Sequence, residues 1–380
     1  MPYRTLTLVL CVALLSAACT TTAIEKVTDE EVAAHSDAIE LFLIGDAGLP
    51  APGGEPVLQA LRRQLTADTL HKLVVYLGDN AYPHGLPDSS APDRKQAEQS
   101  LNAQIAVLRD THTPGIFIPG NHDWDAGSPD GWDAIRREWH YIRDLKNDSV
   151  SFLPTDGCPG PAVLDLQHFA RLIILDTQWW LQRGPKPIAP QSTCPTATDD
   201  EVTDSIRSAL STAEDRPVIV VAHHPLVSGG QHGGYFDWPT NLYRPYLTQA
   251  GFVFADQDVS STRYRHMRLV LARAFQEDPP FLFAAGHEHN LQLLRGRQER
   301  FNVVSGGGIY GHTTPVRDIG GTLFAQRASG FVRLTLRQDH LVHIVVYTVD
   351  SNGKSDEAYA IWLDASPDSA QGATPAAKGE

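Results

Sequence analysis

Positive charge is scarce in this chain. Its 380 residues include 31 lysine and arginine residues against 45 aspartate and glutamate residues, a formal net charge of −14. A surplus of negative charge repels a phosphate backbone, so the composition argues against nucleic acid as a partner. Internal repeats are also missing. The hydrophobic share of 42% is nevertheless enough for a sizeable buried core, and the length allows one large α/β domain or two small ones.

Long apolar runs are absent as well. The apolar segment 6–15 is too short to span a membrane, but it follows Arg4 and precedes the small residues 16–18 and Cys19, an order typical of a targeting segment. It resembles a bacterial lipoprotein lipobox with a lipidated Cys19, although Ser16 stands where leucine is usual. The alternative is simple secretion after cleavage at the same small residues. We therefore expect an exported protein, in the bacterial periplasm, at the outer membrane as a lipoprotein, or secreted. A lipid on Cys19 is the only membrane contact expected.

Cysteine is rare, with four residues in the whole chain. Two of them lie in the targeting segment, so Cys158 and Cys194 remain for the folded part. A cysteine pair in an oxidising compartment usually forms a bridge, so we expect a disulfide that closes a surface loop. Two unrelated thiols are the alternative, because a bridge also needs Cα atoms within about 7 Å of each other.

Short apolar runs alternate with longer polar or helical stretches along most of the chain. Such alternation predicts an α/β fold with largely buried strands. After residue 302 the runs follow one another closely, which suggests a second sheet packed on the first. The predicted strands are 39–44, 73–77, 116–119, 172–175, 218–222, 281–285, 302–304, 330–336, 341–349 and 359–363.

Several other segments have apolar residues three or four positions apart, the spacing of an amphipathic helix. Two aromatic-, glycine- and proline-rich stretches, 124–169 and 226–264, fit neither pattern and are expected to be long excursions of the kind that carries specificity. Residues 1–19 are the predicted signal segment, 20–37 a polar tether and 366–380 a disordered tail. The predicted helices are 56–66, 94–111, 134–145, 201–213 and 265–276.

A side chain that can bind metal follows five of the predicted strands, each time directly after glycine or alanine. Ligands bind at the carboxyl ends of strands in open α/β sheets, so these side chains should converge on one place. Taken singly, such an aspartate is an Asx-turn or helix cap, and such a histidine is a hydrogen-bonded core residue. Together they indicate a metal site. The pairs are Gly45-Asp46, Gly78-Asp79, Gly120-Asn121, Ala222-His223 and Gly286-His287.

These pairs stand in five blocks that resemble, in order, the signature blocks of the calcineurin-like metallophosphoesterases. Tyr82, three residues after Asp79, makes the second block similar to that of the purple acid phosphatases of the tartrate-resistant type. Residues 303–308 are similar to a segment that follows the last block in the small members of that family. The resemblance covers about residues 39–350. The blocks are Asp46-Ala47-Gly48, Gly78-Asp79-Asn80-Ala81-Tyr82, Gly120-Asn121-His122-Asp123, Val220-Val221-Ala222-His223 and Gly286-His287-Glu288-His289.

The resemblance implies a catalytic domain over 38–365 with an αββα sandwich, in which two packed mixed β-sheets are flanked by helices and the metal site lies at the carboxyl ends of strands. It also implies two metal ions. Anionic oxygen donors suit Fe(III), whereas neutral asparagine and histidine suit Fe(II), Zn(II) or Mn(II). The resemblance puts Asp46, Asp79, Tyr82 and His289 on the first metal, and Asp79 bridges to a second metal that also binds Asn121, His223 and His287.

The tyrosine fits a trivalent ion. Three anionic ligands and one hydroxide against five positive charges leave a net charge of about +1, the same as in a site with two divalent ions and no tyrosine. A packing aromatic at a strand end is the alternative role of Tyr82.

Two further histidines match active-site positions of the family. His122 matches the residue that contacts the phosphate and assists the leaving group. His232 lies where the small purple acid phosphatases have a second active-site histidine, and a loop histidine without a role is the alternative. His224, beside a predicted ligand, is expected at most to support it. Residues 233–254 are extra compared with the small members and form either a lid or a segment packed under a long loop.

The function implied is hydrolysis of a small phosphate ester, most simply a phosphomonoester, by a metal-bound hydroxide at a two-metal site. Two alternatives stay open. One is a phosphodiesterase of the same superfamily, which would use the same metals. The other is a surface lipoprotein that binds metal or ligand without catalysis. The seven predicted ligands are all present together with His122, which argues against decay of the site.

Overall fold

The computed structural model describes residues 38–68, 70–187, 190–235, 257–367 and 369. The predicted signal segment with Cys19, the tether 20–37 and nearly all of the predicted tail 366–380 lie outside these residues. Most of the predicted lid segment 233–254 also lies outside them.

The described strands form two sheets of seven strands each. Most of these strands are short, and the longest ones lie towards the end of the chain. They are β1 (Ala38–Ile44), β2 (His71–Tyr76), β3 (Gly115–Phe117), β4 (Val150–Phe152), β5 (Ala162–Leu166), β6 (Ala170–Ile174), β7 (Val218–Val221), β8 (Leu282–Ala285), β9 (Leu291–Arg295), β10 (Phe301–Ser305), β11 (Thr322–Gln326), β12 (Gly330–Arg337), β13 (Leu341–Val349) and β14 (Ser355–Asp364).

Both sheets are mixed. The first has the order β14-β13-β12-β1-β2-β3-β4, in which β1 to β4 are parallel and β12 runs antiparallel to β1. The second has the order β11-β9-β10-β8-β7-β6-β5, with a parallel centre of β10, β8, β7 and β6. Parallel strands need crossover connections, and the helices between them supply these.

The sheets pack face to face because their strands are apolar on both faces. Successive side chains of a strand point to opposite faces. On β1, Leu41 faces the core between the sheets, where it joins Ile174 of the second sheet. The next residue, Phe42, faces the opposite way and packs with Leu61 and Leu108 of the covering helices. This alternation explains why the predicted strands read as continuous apolar runs.

Helices cover the outer face of each sheet, so the layers run helix, sheet, sheet, helix. The predicted sandwich of two mixed sheets is therefore confirmed. None of the described helices is both long and apolar enough to cross a lipid bilayer. The first sheet is covered by α1 (Pro56–Leu65), α2 (Arg94–Thr111) and α3 (Gly131–Asp144), the second by α4 (Gln178–Leu181), α5 (Asp199–Ser211) and α6 (Thr262–Ala274), and 3₁₀ turns lie at Asp125–Gly127 and Thr155–Gly157.

The prediction that the C-terminal strands build the second sheet is wrong. Only β10 and β11 of that region belong to it, whereas β12, β13 and β14 extend the first sheet. β1 pairs with β2 along one edge only, and its other edge would leave backbone N–H and C=O groups unpaired without β12. The second sheet is instead built mainly from the middle of the chain. It includes β5, β9 and β11, which were not predicted, and the first sheet includes the unpredicted β4.

The predicted disulfide is confirmed. Cys158 and Cys194 are bridged, with their Cα atoms 5.4 Å apart. The bridge joins the turn after β4 to the segment before α5. A hydrogen bond from the Thr196 hydroxyl to the Gly160 carbonyl, at 2.6 Å, holds the same two segments together.

Candidate metal centre

The predicted ligands meet at one edge of the sandwich. They lie at the carboxyl ends of strands that belong to both sheets. The Gly45 amide, after β1, donates to the Ser305 carbonyl of β10 at 2.7 Å and joins the two sheets at this edge. The first sheet contributes Asp46 after β1, Asp79 and Tyr82 after β2 and Asn121 after β3, and the second contributes His223 after β7 and His287 and His289 after β8.

The four predicted ligands of the first metal surround one point. The Tyr82 hydroxyl lies 3.1 Å from Asp46 Oδ1, 3.0 Å from Asp79 Oδ2 and 3.2 Å from His289 Nε2. One phenolic proton satisfies only one of these atoms. Donor atoms at right angles around an ion at ~2.1 Å are about 3.0 Å apart. The spacing therefore fits a cation among the four side chains.

The predicted ligands of the second metal form a similar group. Asn121 Oδ1 lies 3.0 Å from both His223 Nε2 and His287 Nδ1, and the two imidazole nitrogens are 3.3 Å apart. All three side chains are buried. An amide oxygen and two imidazole nitrogens suit a divalent ion of the first transition row.

Asp79 belongs to both groups. Its Oδ2 atom lies 3.0 Å from the Tyr82 hydroxyl and 3.4 Å from His223 Nε2. The other carboxylate oxygen, Oδ1, accepts a hydrogen bond from the His122 amide at 2.8 Å. This bond fixes the carboxylate with Oδ2 between the two groups, the position that a bridging ligand requires.

Backbone carbonyls fix the tautomers of two histidines. His223 Nδ1 lies 2.8 Å from the Leu77 carbonyl oxygen, and His287 Nε2 lies 3.1 Å from the Gln257 carbonyl oxygen. A carbonyl can only accept, so each of these nitrogens carries a proton. In the neutral imidazoles the opposite nitrogens, His223 Nε2 and His287 Nδ1, present lone pairs to the centre. Such outer hydrogen bonds are the usual support of metal-binding histidines.

The charges of this centre favour bound cations. Burial opposes ionisation of Asp79, but the facing imidazoles of His223 and His122 outweigh it and lower the pKa of Asp79 well below its usual range. Burial also opposes a proton on His223, but Asp79 raises the pKa of His223 to about 9. Burial and the neighbouring histidines hold the pKa of His287 well below its usual range. A metal ion would replace the proton between His223 and Asp79, because a ligand histidine must be neutral.

Local backbone strain accompanies these side chains. Asp46, Asp79 and His287 have positive φ angles of 61°, 56° and 68°. Each costs on the order of 1–3 kcal/mol in a residue other than glycine, and such strain is typical of functional sites. Two glycines allow the close approach of the strand ends. A Cβ atom on Gly120 would collide with the Asp79 backbone, and one on Gly286 would lie 2.7 Å from Asp46 Oδ2.

A buried carboxylate outside the predicted ligand set organises the backbone of the centre. Asp123 accepts hydrogen bonds from the amides of Gly120 at 2.7 Å, Asp79 at 2.9 Å and Asn80 at 2.8 Å. Burial and the charge of Asp79 raise the pKa of Asp123 to about 7. Asp123 thus ties the loop after β2 to the loop after β3, and both loops carry predicted ligands.

The two predicted catalytic histidines flank the centre. The His122 ring lies 4.5 Å from the Tyr82 ring, and its Nδ1 lies 2.7 Å from the Pro83 carbonyl oxygen. The His232 ring lies 4.1 Å from the His287 ring, and its Nδ1 lies 3.1 Å from Asp258 Oδ1. Both are half-buried. Each therefore has one ring nitrogen held by the protein and lies beside a predicted ligand.

His224 supports the centre from behind. It lies close enough to His223 and His287 for the three imidazoles to hold an ion by distance alone. However, its Nδ1 lies 2.8 Å from the Thr177 hydroxyl and its Nε2 lies 2.8 Å from Gln257 Oε1. With both nitrogens engaged, His224 packs against the ligands and does not join them.

Sequence reasoning missed several residues of the site. Asp123 belongs to the third signature block, so its position two residues after Asn121 could have identified it as part of the site. Gln257 and Asp258 lie far from their partners along the chain, and no spacing pattern marks them. His312, whose ring lies 4.2 Å from that of His289, follows the glycine-rich segment 303–308, which was the one available hint.

Comparisons with known proteins identify a family and a fold. The sequence profile of the calcineurin-like phosphoesterases matches residues 39–291. A comparison with curated protein sequences gives no match. Among similar solved structures, GAP50, the anchor in the inner membrane complex of Plasmodium, is 16% identical, with a TM-score of 0.52 over 86% of this chain and 89% of that one.

Two phosphatase structures also share the fold. The purple acid phosphatase PPD1 from yellow lupin (Lupinus luteus) is 17% identical, with a TM-score of 0.57 over 87% of this chain and 54% of that one. The dimetal phosphatase from Danio rerio is 12% identical, with a TM-score of 0.50 over 87% of this chain and 100% of that one. Identities this low establish a common fold only.

The family follows from the sequence profile, which spans more than half of the chain and contains all seven predicted ligands. The fold, with its two mixed sheets, agrees with that of the similar structures. The histidine and aspartate clusters at the shared edge fit a site for two metal ions. This chain belongs to the calcineurin-like phosphoesterase family.

Proposed function

We propose that the protein is a two-metal phosphomonoesterase of the acid phosphatase type. The observation that carries this proposal is the position of Asp79 Oδ2, which is 3.0 Å from the Tyr82 hydroxyl on one side and 3.4 Å from His223 Nε2 on the other. One carboxylate oxygen shared by two ligand groups is the arrangement that two adjacent ions require.

The proposed ligands divide by chemistry. The first group offers two carboxylates and a phenol, and these hard anionic donors suit Fe(III). The second group offers an amide oxygen and two neutral imidazoles, which suit Fe(II), Zn(II) or Mn(II). When bound, the two ions supply a deprotonated water as the nucleophile and neutralise the charge of the phosphoryl oxygens.

The side chains around the ions orient the ester and handle its proton. His122 is held at Nδ1 by the Pro83 carbonyl oxygen, which leaves Nε2 to face the substrate. We assign it the transfer of a proton to the leaving oxygen, since an alkoxide leaves poorly without one. His232 is held by the buried Asp258. We assign its other ring nitrogen a hydrogen bond to the phosphoryl group on the second-metal side.

The complete ligand set favours an enzyme over a protein that only binds metal or ligand. One structural relative is described as an anchor and two as phosphatases, so the fold alone leaves both kinds of function open. A phosphodiesterase would use the same two ions. Comparison of rates on aryl phosphate monoesters and diesters separates the two enzymatic functions.

Asp79→Ala tests the proposal. It removes the only side chain shared by both ligand groups, so we expect loss of metal and a fall in kcat/KM of at least about a thousandfold, comparable to loss of a central catalytic interaction. Metal content and p-nitrophenyl phosphate hydrolysis are the measurements. Asp215→Ala, at an exposed site in the turn before β7, is the control and should change neither. Near-native metal content and rate in Asp79→Ala would contradict the bridging role.

We further infer that the protein is exported. The Cys158–Cys194 bridge supports an oxidising compartment. The proposed destination is the periplasm, the outer membrane through a lipid on Cys19, or the medium. Mass spectrometry of the mature N-terminus distinguishes a lipidated cysteine from a simple cleavage product.

A further inference from the structure

Three histidines outside the proposed ligand set are half-buried or exposed, and each lies beside a proposed ligand of the metal centre. The His122 ring lies 4.5 Å from the Tyr82 ring, and the His232 ring lies 4.1 Å from the ring of His287. His312 completes the set at 4.2 Å from the ring of His289. The His232 ring therefore packs beside a proposed ligand of the second metal, and the His312 ring packs beside a proposed ligand of the first metal at a similar distance.

His312 lies outside the predicted site. It stands in the segment after the last block, where neither the family blocks nor the predicted site included a histidine. Its ring also lies 6.1 Å from the ring of Tyr82, in an edge-to-face arrangement. Besides the proposed ligand His289, two histidines therefore lie beside the Tyr82 ring, His122 and His312.

The backbone around His312 is held firmly. We call residues 309–317 the strap. Its Tyr310 amide donates to Glu55 Oε1 at 2.7 Å, and its Gly311 amide donates to the Ser329 hydroxyl at 2.9 Å. The Thr314 amide donates to the carbonyl of His289 at 2.8 Å. These bonds lie on both sides of His312, so they fix its backbone beside the centre, where its ring packs against that of His289.

The far end of the strap reaches the loop that carries His232. Val316 forms an antiparallel bridge with Gly230, and the Arg317 amide donates to the Gly229 carbonyl at 3.2 Å. The Arg317 guanidinium lies over the Tyr235 ring, 3.7 Å from its centroid. The strap and the 228–235 loop are thus joined by backbone pairing, and His312 and His232 lie on the two joined segments.

The ring of His312 is available to a ligand. It is exposed, and within the described residues neither of its nitrogens has a hydrogen-bond partner. By contrast, His122 and His232 each have one nitrogen held by the protein. An imidazole offers an N–H donor whether or not it carries a charge. A phosphoryl group bound by the two ions would have further charged oxygens, and N–H donors beside the centre would stabilise them.

We propose that His312 is a substrate-binding residue that donates a hydrogen bond to the phosphoryl group on the first-metal side, as the counterpart of His232 on the second-metal side. The proposal rests on the function proposed above, and it adds a third histidine to the phosphate-binding residues of the site. The ligand class is a phosphate monoester or inorganic phosphate.

Two variants separate this role from simple packing. His312→Phe keeps a flat ring against His289 but removes the N–H donor, whereas His312→Gln keeps a donor and loses the ring. If His312 binds phosphate, His312→Phe should weaken inorganic phosphate binding by about 10- to 100-fold, the effect of losing one hydrogen bond to a charged group. His312→Gln should retain more affinity than His312→Phe. A packing role would give the opposite order.

The measurement is calorimetric titration of the metal-loaded protein with inorganic phosphate, alongside kcat and KM for p-nitrophenyl phosphate. His71→Phe is the matched control, because His71 is exposed at the start of β2, the end of the strand away from the centre. It should bind phosphate as the wild type does. Metal content and melting temperature are measured for every variant, so that loss of the ions is not mistaken for loss of the donor.

Phosphate affinity of His312→Phe within twofold of wild type, at equal metal content, would overturn the inference. So would absence of phosphate binding by the metal-loaded wild type. If the wild type binds phosphate but hydrolyses no ester, the proposed function is wrong. The comparison of phosphate binding by the two variants still decides the role of His312.

Discussion

Tyr82 is the residue that separates this site from a generic two-metal site. Burial and the carboxylates of Asp46 and Asp79 raise the pKa of its phenol well above the usual value. The phenol therefore ionises only against a strong positive charge beside it, and Fe(III) provides more than a divalent ion does.

This gives a spectroscopic prediction. A phenolate bound to Fe(III) donates charge to the metal and produces a broad visible absorption, so we expect the purified protein to be coloured. Tyr82→Phe should abolish the colour and leave the fold intact. It should reduce activity less than Asp79→Ala does, because the shared carboxylate remains. Visible spectra and iron analysis provide the check. Colourless wild-type protein with two divalent ions and no iron would make Tyr82 a packing aromatic.

Asp176 gives a second prediction, on stability. Its side chain is fully buried and accepts hydrogen bonds from the Trp124 indole at 2.8 Å and the Trp179 amide at 3.2 Å. Burial raises its pKa from 3.8 to about 8, against the opposing effect of these bonds. The folded protein thus keeps Asp176 neutral up to about pH 8, whereas the unfolded chain ionises it near pH 4. Raising the pH through this window favours the unfolded chain.

Asp176→Asn keeps one of the two acceptor oxygens and removes the ionisation, and the loss of the other acceptor lowers stability equally at every pH. Its stability relative to wild type should therefore increase from pH 4 to pH 8, by at most about 5 kcal/mol for a carboxyl whose pKa is raised from 3.8 to about 8. Urea denaturation at several pH values measures this difference. Asp215→Asn, at an exposed position, serves as the control. A pH-independent difference between Asp176→Asn and wild type would show that the carboxyl is ionised in the fold.

The site residues that could be predicted from the sequence are those that follow buried strands. Asp46, Asp79 and His223 each follow an apolar run within two or three positions, so a local pattern reports them. Asp258 and His312 reach the centre through long connections whose path depends on tertiary packing. No periodicity in the sequence encodes such a path.

At the level of elements, strands and helices with strong apolar patterns were predicted to within a few residues. The missed strands have weaker patterns. β5 and β11 are edge strands with half-exposed or exposed residues, and an edge strand needs no continuous apolar run because one of its sides is open. β4 is only three residues long. β9 begins two residues after the last signature block, and its residues were not considered as a separate strand.

The disulfide links two such irregular segments and should stabilise the fold. It closes a loop with a sequence separation of 36 residues, for which chain entropy gives about 3–4 kcal/mol. The double variant Cys158→Ser/Cys194→Ser should melt at lower temperature than wild type. Wild type treated with a reductant should match the variant, and the reductant should not affect the variant itself. Two titratable thiols in the unreduced, denatured wild type would show that the bridge does not form.

At the scale of the whole molecule, the metal centre lies between the two sheets. Four of the proposed ligands come from the first sheet and three from the second. Ions bound there would cross-link the sheets, and they would also neutralise the carboxylates of Asp46 and Asp79. Ligands that bind only the folded state add stability by mass action, about 2.7 kcal/mol at a concentration 100 times Kd.

Chelation should therefore lower the melting temperature as well as abolish activity, and added metal should restore both. Calorimetry with and without chelator is the measurement. Asp79→Ala serves as the matched control, since a protein that has lost the shared ligand should show little further change on chelation. Full activity and an unchanged melting curve in chelator-treated wild type would contradict a two-metal centre.

The pairing of β1 with β12 has a consequence for how the chain is made. Ala38 pairs with Arg337 and Leu43 with Val332, so a ribosome completes the first strand long before it reaches that strand's partner. Until then one edge of β1 keeps its backbone N–H and C=O groups unpaired, and the first sheet is incomplete. Contacts this distant in sequence slow folding and expose aggregation-prone edges to chaperones. We expect such a nascent chain to stay unfolded until synthesis is nearly complete, and an unfolded polypeptide is the form that a translocation channel can accept.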